Sequence, residues 1–395
     1  MSGSKVPSSN ANSPDKPIRI LMVAPSLRIL GGLALQAKYL FEHLRREATF
    51  QVSFVPHNPR FPGPLRLLQK IKYLRTIATS LVYCTNLLVQ VPRHDIIHVF
   101  SASYYSFLLA FAPAILIGRL FGRKVILNYH SGKAEGHLRC WTRTAVPIIK
   151  LADELIVPSR YLVEVFSKFG LRAYPISNIL DERFKFRERQ PLRPIFLSNR
   201  NLYPLYNVAC ILRAFAGIQN KFPDAKLTIA GHGSQRGELE SLARELKLRN
   251  VNFRGRIAPE KMCELYDEAD IFLNSSNIDN MPGSILESFA CGTPVVSTNA
   301  GGIRWIVNHG KTGLLVPKND DKAMASLAIR LLESPELAQS LARNAYRECP
   351  AYTWEAVRDE WVTAYQRLAG REASAGTRVD AGQMMHSPPF QRAES

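Results

Sequence analysis

The chain has little that would staple it, ligate a metal or thread it through a membrane. Its 395 residues include six cysteines: Cys84, Cys140, Cys210, Cys263, Cys291 and Cys349. No two form a CxxC pair and none stands at metal-ligand spacing from a histidine, so neither a disulfide frame nor a zinc site is expected. Scattered thiols of this kind suit a reducing, cytoplasmic setting. Residues 1–17 are rich in Ser, Asn and Pro and lack an apolar core, which reads as a disordered lead-in and not a signal peptide. Val99 to Ile117 is nearly uncharged, but Ser101, Ser103 and Pro113 interrupt it and it opens as a strand, favouring a buried helix over a spanning one. No acid-rich motif asks for a metal. No aromatic-basic recognition motif supports nucleic acid, despite the excess of cations.

Acidic residues are scarce in one half only. Residues 1–190 hold 27 Lys and Arg against 11 Asp and Glu, a net of +16, whereas residues 191–395 hold 24 against 22. Nearly all of the formal charge of +18 therefore sits in the first half. Such a field attracts anionic partners and is screened by salt. The segment Arg60–Arg75 mixes Leu65, Leu67, Leu68, Ile71 and Leu74 with five cations, and Leu81–Val91 continues it with little charge. The expectation is a helix lying against an anionic membrane surface, making the protein peripheral on the inner face of the membrane.

What is present is a rhythm. Apolar runs at Ile18–Ala24, Val52–Val55, Ile96–Val99, Lys124–Asn128, Leu155–Val157 and Tyr174–Ile176 alternate with helical patterns at Leu33–Leu44, Leu65–Leu88, Ser106–Phe121 and Arg160–Phe169. The rhythm restarts at Pro194, with strands at Ile195–Leu197, Lys226–Ile229, Val251–Phe253, Ile271–Leu273, Pro294–Ser297 and Gly313–Val316. Helices Asn207–Lys221, Arg236–Leu246, Pro259–Ala269, Ser284–Ala290 and Asp320–Leu332 separate them. Strand–helix alternation predicts an α/β protein of two doubly wound, Rossmann-like domains. The boundary falls in the charged stretch 185–193, which reads as a linker. The expected divisions are residues 18–187, 188–353, a last helix within 354–370, and a disordered tail at 371–395.

The most informative stretch is Asp279-Asn280-Met281-Pro282-Gly283-Ser284-Ile285-Leu286-Glu287, running on through Ala290-Cys291-Gly292-Thr293-Pro294-Val295-Val296. It puts two carboxylates eight residues apart around a Pro-Gly turn, at the start of a helix that follows the strand Ile271–Leu273. The first N–H groups of that helix lack intrahelical partners and carry its positive dipole end, a ready phosphate site. A carboxylate one turn further in can accept hydrogen bonds from sugar hydroxyls. Together they suit a phosphorylated sugar. Gly31-Gly32, between the first strand and helix, permits close approach of a phosphate or sugar. His130 stands at the carboxyl end of a strand, where open α/β sheets bind ligands.

Asp279 to Val296, with Thr298-Asn299-Ala300-Gly301-Gly302-Ile303 after it, resembles the signature of family-four retaining glycosyltransferases. Asp279 stands where that family has Glu. The resemblance implies the GT-B architecture, with the last helix crossing back to the first domain and the nucleotide-sugar donor bound in the second. It implies that Glu287 binds ribose hydroxyls, that Asp279 and His130 contact the transferred sugar, and that Gly31 and Gly32 face the donor. It assigns the N–H groups of Gly283, Ser284 and Ile285, preceded by Met281 and Pro282, to sugar and phosphate. Arg200 matches the family's diphosphate-binding Arg. The Lys that usually follows about five residues later is missing, and Asn207 stands as its neutral substitute. Gly231-His232-Gly233 resembles the Gly-x-Gly loop beside the nucleotide, so Gly233 joins the donor set. Asn178-Ile179-Leu180-Asp181 with Phe184 resembles the segment closing the first domain and serves as a register marker.

The expected function is transfer of a sugar, with retention, from a nucleotide diphosphate to a saccharide or lipid-linked acceptor in cell-envelope or exopolysaccharide synthesis. No metal or other cofactor is expected. Two alternatives stay open: a catalytically weakened member acting as a binding or scaffold protein, and a sugar-nucleotide epimerase or phosphorylase of the same fold.

Overall fold

The computed structural model describes residues 16–27, 31–59 and 72–371. Residues 1–15 and 372–395, within the two ends expected to be disordered, and most of Arg60–Arg75 lie outside the described residues. The chain divides into two compact units: one runs to Ser131 and adds His137–Ala152, the other combines Gly132–Gly136 with everything from Asp153.

The first unit contains β1 (Ile18–Ala24), α1 (Gly32–Leu44), β2 (Phe50–Pro56), α2 (Lys72–Gln90), β3 (Ile96–Ser101), a π-helical turn at Phe107–Phe111, α3 (Ala112–Leu120) and β4 (Lys124–Tyr129). Helices α4 (Ala134–Cys140) and α5 (Thr142–Ile149) follow. The strands run parallel in the order β2-β1-β3-β4. Their near-continuous apolar runs suit a sheet buried on both faces; every residue of β1 except Arg19 is buried. The pattern Ser106–Phe121 does not form one uniform helix. Its ladder widens just before Pro113, which lacks the N–H that would bond four residues back.

The second unit opens with β5 (Glu154–Val157), α6 (Arg160–Ser167) and β6 (Tyr174–Pro175). Its large sheet and helices are β7 (Ile195–Asn199), α7 (Val208–Lys221), β8 (Lys226–Ala230), α8 (Arg236–Glu245), β9 (Val251–Gly255), α9 (Met262–Glu268), β10 (Ile271–Asn274), α10 (Gly283–Ala290), β11 (Val295–Thr298) and β12 (Leu314–Val316). Helices α11 (Asp321–Glu333), α12 (Pro335–Glu348) and α13 (Trp354–Leu368) close the chain. The parallel order is β12-β11-β10-β7-β8-β9. Helix α7 buries Val208, Ile211, Phe215 and Ile218 against Phe196, Leu227 and Ile271. On the other side of the sheet Ile285, Leu286 and Phe289 of α10 pack with Phe272, Tyr266 and Val295.

Strand order reverses between β7 and β10, so the loops at their carboxyl ends part and leave the crevice where open α/β sheets take ligands. Arg200 follows β7, and Asp279 lies in the loop after β10.

Two further features depart from the sequence expectation. Helices α4 and α5 were not foreseen, nor was α12, whose buried face is Ala338, Leu341, Ala342 and Ala345; alanines give a weak hydrophobic pattern. The stretch 185–193 is extended but held down. Arg193 donates to both Asp270 oxygens (2.8 and 2.9 Å), and buried Arg189 donates to the carbonyls of Ala269 (2.8 Å) and Cys291 (2.5 Å). At the far end of α13, Arg367 donates to Glu154 (2.9 Å) and lies over the Tyr174 ring.

Candidate active site

In the second unit, the loop after β10 is shaped by glycines that are distant in sequence. A Cβ on Gly302 would come within 2.0 Å of the Asn280 carbonyl oxygen, one on Gly301 within 2.2 Å of that of Asp279, and one on Gly132 within 2.8 Å of the Asp279 carbonyl carbon. Backbone packs on backbone here, so side chains are excluded. Polar contacts complete the seat. Ser159 Oγ donates to Asn280 Oδ1, and Asn178 Nδ2 donates to the Met281 carbonyl (3.1 Å). Asn178, expected only as a register marker, thus holds the loop that leads into α10.

The loop delivers Asp279 to Arg200. The guanidinium donates to the Asp279 carboxylate and to Ser284 Oγ (3.1 Å), and lies over the Tyr206 ring at 4.3 Å. Both charged side chains are nearly buried, at 10% and 13% exposure, while Arg200 Nε is buried with no partner among the described residues. The backbone after β7 is seated by the Gly-x-Gly loop: a Cβ on Gly231 or Gly233 would meet the Arg200 or Leu202 carbonyl oxygen at 2.2 or 2.0 Å. Gly233 therefore fixes the turn carrying Arg200. His232 Nε2 lies 2.6 Å from Arg256 Nη2, a cation the sequence reading passed over.

Glu287 is half-buried one turn inside α10. Tyr266 Oη lies 2.7 Å from its carboxylate and 3.0 Å from the Ser284 carbonyl, and Asn199 Nδ2 reaches it at 3.5 Å. Burial pushes its pKa up from 4.5 to about 7, against the opposing pull of the Tyr266 hydrogen bond and of Arg200. Tyr266 gave no signal in the sequence because it lies in a helix read only for its apolar pattern, and Asn199, next to Arg200, carries no motif of its own. At the start of α10 Pro282 precedes Gly283, and the Ile285 N–H already donates to the Pro282 carbonyl (3.1 Å). The earlier N–H groups, of Gly283 and Ser284, are those without an acceptor inside the helix. Asn207 lies apart from this cluster in its contacts. Its backbone is left-handed (φ 47°) and its side chain donates to Asn319 (2.9 Å).

The first unit holds the other expected residues. Gly31 and Gly32 open α1 just past β1, and a Cβ on either would meet nothing within 4 Å. Packing does not demand glycine there. His130 follows β4, its ring stacked on Phe100 (5.5 Å between centroids) and its pKa lowered by burial to about 3, so it is a neutral imidazole at physiological pH. Its Nε2 is buried without a partner among the described residues.

Comparison with known proteins bears on the second unit first. Residues 181–348 match the family model of glycosyl transferases group 1. This segment belongs to the glycosyl transferases group 1. Arg200, Asn207, Gly233, Asp279, Ser284 and Glu287 all fall inside the group 1 segment, whereas Gly31, Gly32, His130 and Asn178 precede it. The chain is 32% identical over 166 residues to a D-inositol 3-phosphate glycosyltransferase of Corynebacterium urealyticum, covering 40% of this chain and 39% of that one. It is 28% identical over 207 residues to an N-acetyl-alpha-D-glucosaminyl L-malate synthase of Bacillus anthracis, covering 52% and 53%. The match thus spans about two-fifths to one-half of these relatives' length. The fold matches Anabaena Alr3699/HepE, solved in complex with UDP and glucose, with a TM-score of 0.69 over 88% of this chain and 99% of that one at 19% identity. The group 1 segment and the strand rhythm before it make a GT-B fold of two Rossmann-like domains.

Proposed function

We propose that the protein is a family-four retaining glycosyltransferase that moves a sugar from a nucleotide diphosphate to a saccharide or lipid-linked acceptor, independently of a metal, in envelope or exopolysaccharide synthesis. The observation that carries this reading is the convergence of Arg200, Asp279, Ser284 and Glu287 on one strand-order reversal. A cation, a helix N-terminus and a hydroxyl-binding carboxylate are what a sugar diphosphate requires. Glu287 would accept from the ribose hydroxyls and Asp279 would hold the sugar. The Gly283 and Ser284 N–H groups and Arg200 would carry the diphosphate. With both carboxylates engaged, the reaction would proceed on one face. The bond from the anomeric carbon to the diphosphate oxygen breaks, the bond to the acceptor oxygen forms, and the acceptor's proton passes to the leaving diphosphate. Arg200 would offset the charge that develops there, an effect that usually dominates.

The test is binding and turnover across a panel of nucleotide sugars, with and without a chelator, comparing wild type with Glu287→Ala. Saturable binding and release of a nucleoside diphosphate, both lost in the variant, support the reading. Binding without turnover would support the scaffold alternative, and isomerised donor or sugar phosphate among the products the epimerase or phosphorylase one. No binding to any donor overturns it.

A further inference from the structure

The first unit exposes apolar side chains on helices that already bury another face. Helix α2 packs Tyr83 and Leu87 inward, with Tyr83 donating to the Ala110 carbonyl (2.5 Å). Its opposite face carries Ile77, Leu81, Leu88 and Val89, with Leu81 at 64% exposure. These positions fall within about 120° of the helix circumference at 100° per residue. Helix α3 lies against α2 and continues the surface with Leu116 and Leu120, the latter at 76% exposure, and the π-helical turn adds Leu108 and Leu109. An open groove of about 620 Å³ follows toward α5, where Tyr105 and Trp141 meet edge to face at 5.2 Å beside Arg143. A soluble surface rarely gathers so many large apolar groups without a partner.

Charge says which partner. Between Glu47 and Glu135 the sequence contains one carboxylate, Asp95, and that one is bound by Arg19 at 2.6 Å. Exposed Arg75 and Arg93 flank α2, and exposed Arg143 lies in the groove. No helix among the described residues is long and apolar enough to cross a membrane. Apolar side chains lying between cations, with aromatic rings at the border, match the layering of an anionic bilayer surface: acyl chains below, phosphate headgroups above.

We propose that the α2–α3 face, with the Tyr105–Trp141 groove at its rim, seats the protein on the surface of an anionic lipid bilayer. This deepens the acceptor reading above, because a lipid-linked acceptor would be met at that surface. The experiment is flotation of the full chain with vesicles of phosphatidylcholine alone or mixed with phosphatidylglycerol, at low and high salt. Binding is expected to the mixed vesicles and to weaken with salt. Leu81→Glu with Leu88→Glu should reduce it at least about ten-fold, and Arg143→Gln about five-fold. Leu120→Glu, on α3, tests the same face independently should the α2 variant misfold. All should bind nucleotide sugar as wild type does, so failure of the donor reading registers separately. Absence of vesicle binding, or binding indifferent to these substitutions, overturns the proposal. So does a dimer that Leu81→Glu dissociates in protein that ignores vesicles, which would assign the face to a second copy of the chain.

Discussion

The raised pKa of Glu287 makes a prediction with two independent readouts. A carboxyl group whose folded pKa lies near 7 keeps a proton that the unfolded chain, near 4.5, has already released. Between those pH values the folded state binds more protons, so stability falls as pH rises, by 1.36 kcal/mol per unit at most. Over the whole interval that is about 3 kcal/mol. Glu287→Gln keeps an oxygen for the Tyr266 hydroxyl and removes the charge. It should therefore raise Tm at pH 8 by about 2–4 °C per kcal/mol and leave it unchanged at pH 4, where wild type is neutral at this position. Donor binding should move the opposite way. If hydroxyls are held by the carboxylate, only the ionised form binds. Affinity should then drop about ten-fold at pH 6 and about a hundred-fold at pH 5 relative to its alkaline plateau. The groups facing Glu287 are Tyr266, Asn199, Arg200 and Asp181. Tyr266 is pushed well above its usual range, so it does not titrate there. His130, near 3, stays neutral throughout. Calorimetric titration with an intact nucleotide sugar is the right assay, because a free terminal phosphate itself titrates near pH 6. A wild-type affinity flat from pH 5 to 8, or the same acidic limb in Glu287→Gln, would refute the reasoning.

Arg200→Ala should lower kcat about 10²–10³-fold through loss of charge stabilisation. It should also cost about 1–3 kcal/mol of stability, because Asp279 is left nearly buried without its cation; adding Asp279→Asn should recover most of that stability and none of the rate. Arg200→Lys should rescue neither, since an ammonium cannot span Ser284 and Asp279 while stacking on Tyr206; wild-type turnover in that variant would overturn this role. Gly302→Ala, which forces a methyl onto the Asn280 carbonyl oxygen, should cost about 1–3 kcal/mol in chemical denaturation and weaken donor binding. By contrast, Gly237→Ala, in open space on α8, should stabilise by about 0.5–1 kcal/mol.

The parts of this fold that the sequence exposes are those enforced by local chemistry. Parallel strands buried on both faces must be apolar runs, and each helix between them must repeat every third or fourth residue. The rhythm from Ile18 to Val316 is therefore plain. Helix α12 escapes because its buried face is mostly alanine, and α4 and α5 because they are short. The stretch 185–193 misleads for a different reason. Exposed linkers are rich in Arg, Glu and Pro, but so is a strap whose arginines find Asp270 and backbone carbonyls, and only the partners distinguish them.

The site shows the same division more sharply. Arg200, Asp279, Ser284 and Glu287 are visible because a turn, a helix start and a strand end must stand at fixed spacing from one another. Their supports are not, because they come from distant segments and each makes a contact open to any small or polar residue. Asn178 holds the Met281 carbonyl 103 positions away, and Gly132 leaves room for Asp279. Asp279 itself shows why pairing matters more than reach. As the shorter carboxylate where the resembling family has Glu, it would be judged from sequence by its distance to a sugar. Here it already meets Arg200, and the glycine-cradled backbone beneath it sets how far it extends. Shortening one side chain changes little when the loop carrying it sits on backbone on both sides. The hydroxyl-binding and charge-offsetting roles can then be separated, with Glu287 governed by pH and Arg200 by its pairing with Asp279, and the pH titration and the Arg200–Asp279 double variant above measure them apart.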